Sequence, residues 1–385
     1  MRTIVWMTLL ALVAPACGDD AADDAGADAG ADASTDATSD TAADTAGDTT
    51  ADTSVDARTD VGAGDAGAPR AGIWISAEEL ALLPMSGEGW DELAAIAEGD
   101  WGTANVSDQD DDHDVATFGG ALYAVRTGDE TMRARVVAAL ESAIDTEVGG
   151  RTLALGRQLL GYVLAADLID YREASFVAWV DQARTRVLDG RAGIDDLLES
   201  AVRDPSNWGC HARASVFAAA RYLGDAEQVS EIAERLHDYL GRTGEGFEFR
   251  EDWWQADPSA PLGVNPLGAT IMGRNVDGVI PDDQRRGGMF EWPPPRENYV
   301  WESLQGTVAT AHMVERAGHD PFSWQDRAIL RAVTWLHDEP DYPAEGDDSW
   351  VPFRINAAYG TSFPTDASRP VGKSAGFSAW THPSE

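Results

Sequence analysis

Two stretches of this chain hold side chains whose types and spacing could do acid–base chemistry on a charged substrate. In DPSNWGCHARASVFAAARYLGD, Asp204 to Asp225, Asp204 reads as a helix N-cap, Pro205 as the first helical residue and Gly224 as the stop. Asn207 and His211 then stand on one face of the first two turns, with Trp208 beside them. Gly209 costs about 1 kcal/mol relative to alanine in a helix interior, which suits a close approach to the backbone there. The plainer alternative is that Asn207 serves the helix start and His211 is a hydrogen-bonded core histidine. The second stretch, DGVIPDDQRRGGMFEWPPPRENYVWESLQG, runs from Asp277 to Gly306. It sets Arg285 and Arg286 beside two glycines, continues through a proline-stiffened aromatic loop to Arg296, and launches a helix from Tyr299. That mixture suits anions and sugars better than a helical core.

Between these stretches lies FEFREDWWQADPSAPLGVNPLGATIMGR, long, aromatic and with little periodicity. Loops of this length in compact domains are usually functional or disordered, and Trp253 and Trp254 argue against disorder. Either they stack on sugar rings at a cleft rim or they are core. Earlier, NVSDQDDDHDVATFGG departs from the calcium-loop pattern, because the glycine and the bidentate glutamate are missing from their places. It reads as helix N-capping and a solvated loop, with His113 exposed in it. Arg157 and Tyr162 lie on the apolar helix LALGRQLLGYVLAADLID, where Arg157 either pairs with a buried acid such as Asp167 or points into a cleft. No GxSxG elbow is present, GKS at Gly372–Ser374 lacks the upstream glycine of a phosphate loop, and the histidines show no zinc spacing.

The elements that must position these residues are helices. Apolar residues recur at three- and four-residue spacing in Thr131–Ile144, Leu153–Ile169, Ala174–Val187, Ala226–Leu240, Tyr299–Ala317 and Ser323–Leu336. Short turns separate them, IWISAEELALLP adds a Ser-capped start, and no alternating strand run appears. The expectation is an all-α domain over 71–385, built as an incomplete (α/α) toroid of antiparallel helical hairpins.

Residues 1–17 read as a signal peptide, with Arg2, a short apolar run and a lipobox-like approach to Cys17. Residues 18–70 form an Asp/Ala/Thr-rich tether whose aspartates, recurring every fourth residue from Asp20 to Asp60, oppose helix formation and extend the chain. The domain is therefore expected to be exported and lipid-anchored to the cell envelope through Cys17, or else periplasmic or secreted. With Cys17 lipidated, Cys210 is left alone and no internal disulfide forms. The net charge of −39 argues against nucleic acid but not against a polyanionic sugar held by a local arginine cluster.

On SNWGCHARA, DGVIPDDQRRGG, ENYVWESLQG and the closing GDDSWVPFRINAAYGTSFP…VGKSAGFSAWTH, the chain resembles the bacterial alginate lyase-like polysaccharide lyases, across most of 71–385. The resemblance implies an α/α toroid whose cleft holds an Asn, a His, an Arg and a Tyr. It further implies β-elimination on a 4-linked uronic acid polymer, glucuronan or polymannuronate/alginate, with no cofactor and no metal in the reaction. By it, Asn207 matches the asparagine that neutralises the uronate carboxylate and Tyr299 the catalytic tyrosine. Arg286 matches the arginine, with Arg285 and Arg296 as rivals. In the best-known members the histidine directly follows the asparagine; Trp208 stands there in this chain, and His211 is its substitute one turn later. Arg285, Arg296, Trp208, Trp253 and Trp254 are the expected substrate-binding residues.

The chemistry explains these residue types. A proton alpha to a carboxylate leaves only if hydrogen bonds and a cation absorb the charge of the developing enolate. A base takes it and an acid protonates the departing glycosidic oxygen. A phenol, ordinarily titrating near about 10, needs a neighbouring arginine to act as that base. Tyr299 fills both roles if proton and leaving group share a face of the sugar; otherwise His211 is the base and Tyr299 the acid. Two alternatives remain. One is a glycoside hydrolase on the same toroid, using two of Asp252, Asp277, Asp283 and Glu302; the other is a non-catalytic glycan-binding protein.

Overall fold

The apolar periodicity is realised as a succession of helices. A computed structural model describes residues 71–250, 253–284, 288–368, 373 and 376–383. The N-terminal half contains α1 (Ala77–Leu82), α2 (Glu88–Glu98), α3 (His113–Thr127), α4 (Glu130–Ala143), α5 (Thr152–Leu168) and α6 (Ala174–Ala183). After them come α7 (Leu197–Arg203), α8 (Asn207–Leu223) and α9 (Ala226–His237). The hairpin β1 (Thr270–Ile271) and β2 (Arg274–Asn275) follows, then α10 (Pro281–Gln284), α11 (Asn298–Arg316), α12 (Trp324–Asp338), α13 (Val351–Tyr359) and α14 (Ser378–Thr381). The domain is predominantly helical, and the described sheet is the single antiparallel hairpin.

Local sequence sets the helix ends. Ser76 and Glu79 form a reciprocal capping box at α1, while Asp129, Asp196 and Asp225 cap α4, α7 and α9 through their carboxylates. Left-handed glycines at Gly128, Gly224 and Gly360 end α3, α8 and α13.

The core is a row of four nearly enclosed helices: α5 packs between α3 and α8, and α8 between α5 and α11. The helices that follow them, α4, α9 and α12, bury one face only. Close approach within the row depends on missing side chains. A Cβ on Gly306 of α11 would lie 2.3 Å from the carbonyl carbon of Cys210 and 2.5 Å from the amide of His211, so only glycine lets α11 touch the α8 backbone. The two ends of the domain meet at His312. Arg354 donates to His312 Nδ1 at 2.9 Å, so the proton is on Nε2, which donates to the Trp74 carbonyl at 2.7 Å.

Several expectations are corrected. Helix α8 begins at Asn207 behind Ser206, not at Pro205, and the Asp204 carboxylate accepts from Ser206 instead. The backbone approaching Gly209 is the chain's own, since a Cβ there would sit 1.9 Å from the Asp204 carbonyl oxygen. His113 is buried, not exposed: it opens α3 and its Nδ1 lies 2.9 Å from the Tyr162 hydroxyl. Arg157 does not pair with Asp167, which accepts from the Ile73 amide and from Arg172.

Candidate functional site

Arg157, His211 and Glu302 fall in the first two turns of α5, α8 and α11 respectively, and they touch. Their contact brings the N-terminal ends of three core helices to one place. Helix N-termini carry partial positive charge, so this end of the row favours negative groups.

Glu302 is the hub. Its Oε2 lies 2.8 Å from Arg157 Nη2 and 3.3 Å from His211 Nε2, and its Oε1 accepts from Asn298 Nδ2 at 3.4 Å. The same Arg157 nitrogen reaches Asp347 Oδ2 at 3.4 Å, and Gln305 Nε2 donates to Asp348 Oδ1 at 2.7 Å. The network grades outward. His211 is wholly buried, the Glu302 and Arg157 side chains are each 8% exposed, and Asp347 is 40% exposed. Asn298 and Tyr299, in the first turn of α11, are exposed and half-buried.

Electrostatics follows from that gradient. Burial opposes charge on Glu302, but Arg157 and His211 outweigh it and hold the carboxyl at about 2. Burial lowers the His211 pKa, with Glu302 acting in the opposite direction. His211 is therefore a neutral imidazole at neutral pH whose Nε2–H donates to an ionised Glu302. Burial, reinforced by the charges of Glu302 and Asp347, pushes Asp348 well above the usual carboxylate range; Asp347 is raised for related reasons. Lys373, from the closing sequence motif, donates to the Asp111 carbonyl and to Asp112 at 2.6 Å, bringing its charge to the N-terminal end of α3.

Of the residues singled out from sequence, Asn207 and His211 are both on α8 and both enclosed, Asn207 at 2% exposure. Tyr299 opens α11, the helix that carries Glu302. Arg285, Arg286 and Asp252 lie outside the described residues, as do the signal-like segment, Cys17 and the acidic tether. Arg296 is engaged elsewhere: its Nε donates to the Pro340 carbonyl at 3.0 Å and its Nη2 meets Asp341 at 3.3 Å. Trp254 is core, 1% exposed between Phe290 and Trp335, and presents no face to a sugar. Trp253 is 46% exposed. Trp208 is nearly buried, its ring face covered by the Arg151 guanidinium at 4.7 Å.

The other candidate carboxylates are occupied. Asp277 pairs with Arg331, and Asp283 is fully buried and accepts from Ser303. A cavity of about 360 Å³ opens beside the start of α3, lined by Trp101, Asp111, Asp112 and His113 among others, and by none of Asn207, His211 or Tyr299.

Sequence reasoning missed the Arg157–Glu302 pair. The two residues are 145 positions apart, and the available signal was an arginine inside an otherwise apolar helix. No protein-family model matches the chain, and no curated protein matches it. The fold and site define a helical protein with a buried, ion-paired network at the shared N-terminal end of its core helices.

Proposed function

We propose that the chain is a polysaccharide lyase that cleaves a 4-linked uronic acid polymer, glucuronan or polymannuronate, by β-elimination. Its helices form an incomplete toroid of antiparallel hairpins, with α3, α5, α8 and α11 as the inner helices and α4, α9 and α12 outside. The observation that carries this reading is the Arg157–Glu302–His211 chain joining the second turns of α5, α8 and α11, with Tyr299 one turn before Glu302 and less buried.

Burial divides the roles. Tyr299 is the half-buried group that a polymer meets, and it both removes the proton beside the carboxylate and protonates the glycosidic oxygen. The C–H electron pair becomes the new C=C bond as the C–O bond to the leaving sugar breaks. His211, fully enclosed, is a positioning group held by Glu302. Asn207 and the N-terminal dipole of α8 supply positive potential to the substrate carboxylate, with the arginine of the 285–286 pair as its cation. Glu302 is a poor general acid because Arg157 and His211 keep it ionised, which disfavours a hydrolase built on it. The domain is delivered outside the cell and held by a lipid on Cys17.

Incubation of the chain with glucuronan or polymannuronate tests the reading. Elimination creates an ultraviolet-absorbing double bond with every cut, hydrolysis creates reducing ends without it, and a binding protein creates neither.

A further inference from the structure

Arg151 directly precedes α5, and its guanidinium lies over the Trp208 ring at 4.7 Å, within cation–π range. Trp208 is the residue next to Asn207 and is itself 6% exposed. The tryptophan therefore cannot offer its face to a sugar; it is a pedestal that holds a flat cation in place. Arg151 is only partly buried, and among the described residues no hydrogen-bond acceptor or carboxylate is paired with its guanidinium. In contrast, Arg157 is neutralised by Glu302 and Asp347, Arg184 by Asp181 and Asp225, and Arg316 by Glu79. In a chain of net charge −39 this arginine, at the N-cap of α5, is stacked on a tryptophan where the others named are paired with acids. Arg151 precedes Arg157 by six residues, which places it about 9 Å further toward that end at 1.5 Å per residue.

We propose that Arg151, stacked on Trp208, is a subsite that binds the carboxylate of a uronate unit beside the one being cleaved. The guanidinium fork matches a carboxylate bidentately, and stacking pre-orders it at low entropic cost. This rests on the uronate-polymer reading, so the test separates the two.

The experiment compares the wild-type chain with Arg151→Gln and Arg151→Lys, by polymer binding and by ultraviolet product formation on polyglucuronate and polymannuronate. Arg151→Gln should weaken binding and raise KM roughly tenfold or more, as expected for loss of one charge-assisted contact. Its kcat should stay within about twofold and its thermal midpoint should not move; Arg151→Lys should restore part of the affinity. Unchanged binding and KM in Arg151→Gln overturns the subsite while leaving the lyase reading intact. Weakened binding that Lys does not relieve and that tracks a fall in thermal midpoint also overturns it, because the effect is then on folding. If the wild type binds polymer without forming unsaturated product, the lyase reading fails, and lost binding in Arg151→Gln still supports the subsite. No wild-type binding at all overturns both.

Discussion

Replacing Glu302 by glutamine removes one charge from the centre of the network and almost nothing else. Arg157 then keeps Asp347, which is 3.4 Å away but 40% exposed, in place of a carboxylate 2.8 Å away and 8% exposed. The magnitude follows from linkage. Glu302 titrates at about 2 in the folded chain against an ordinary 4.5, which corresponds to about 3 kcal/mol at 1.36 kcal/mol per pH unit. A similar figure, about 3–5 kcal/mol, is usual for breaking a buried pair by removing one partner. Because the folded-state value is depressed, this stability is fully present above 4.5 and is lost as the pH falls toward about 2. Glu302→Gln should therefore lower the thermal midpoint by roughly 5–10 °C near neutral pH. The gap to wild type should close as both are acidified through that window. Thermal unfolding followed by circular dichroism across the pH range reads both features. Equal stability at neutral pH, or a deficit that stays constant down to about pH 2, would refute the hub role of Glu302.

Three further outcomes are expected. Asp114 is fully buried, and burial outweighs the Lys373 charge and the Val115 amide to push it up to about 8, so its contribution to stability is present below 3.8 and falls as the pH rises through about 8. Asp114→Asn should therefore gain on the wild type by up to several kcal/mol between about pH 4 and pH 8 in urea titrations, and parallel curves would contradict the assignment. Gly306→Ala places a methyl against the Cys210 backbone, which cannot rotate away; it should cost at least about 1–3 kcal/mol and reduce activity by separating Glu302 from His211. Wild-type stability in that variant would show that α8 and α11 are not in register as described. Tyr299→Phe should abolish product formation in the ultraviolet assay while polymer binding persists, and retained turnover would remove Tyr299 from its role.

The parts of this architecture that were legible in the sequence are those set by neighbours along the chain. The Ser-capped start at Ser76, the glycine stop at Gly224, and the shared face of Asn207 and His211 depend on residues close along the chain, which helix geometry converts directly into contacts. What was not legible depends on which helices meet. Arg157 had a carboxylate on its own helix in Asp167, yet its partners are Glu302 and Asp347, supplied from far along the chain. His113 reads as solvent-exposed amid aspartates because only the packing of α3 on α5 puts Tyr162 beside it. Gly209 looked like a ligand's point of entry, and the Asp204 carbonyl fills that space. Trp253 and Trp254, adjacent in sequence, divide between surface and core, Trp254 being the one that packs on Trp335.

The most direct measurement is the ultraviolet absorbance of glucuronan and polymannuronate incubated with the wild-type chain, set against reducing ends formed in the same samples. A lyase predicts that absorbance and reducing ends rise together, one new double bond for each cut. Reducing ends without absorbance, or neither signal on either polymer, would contradict it.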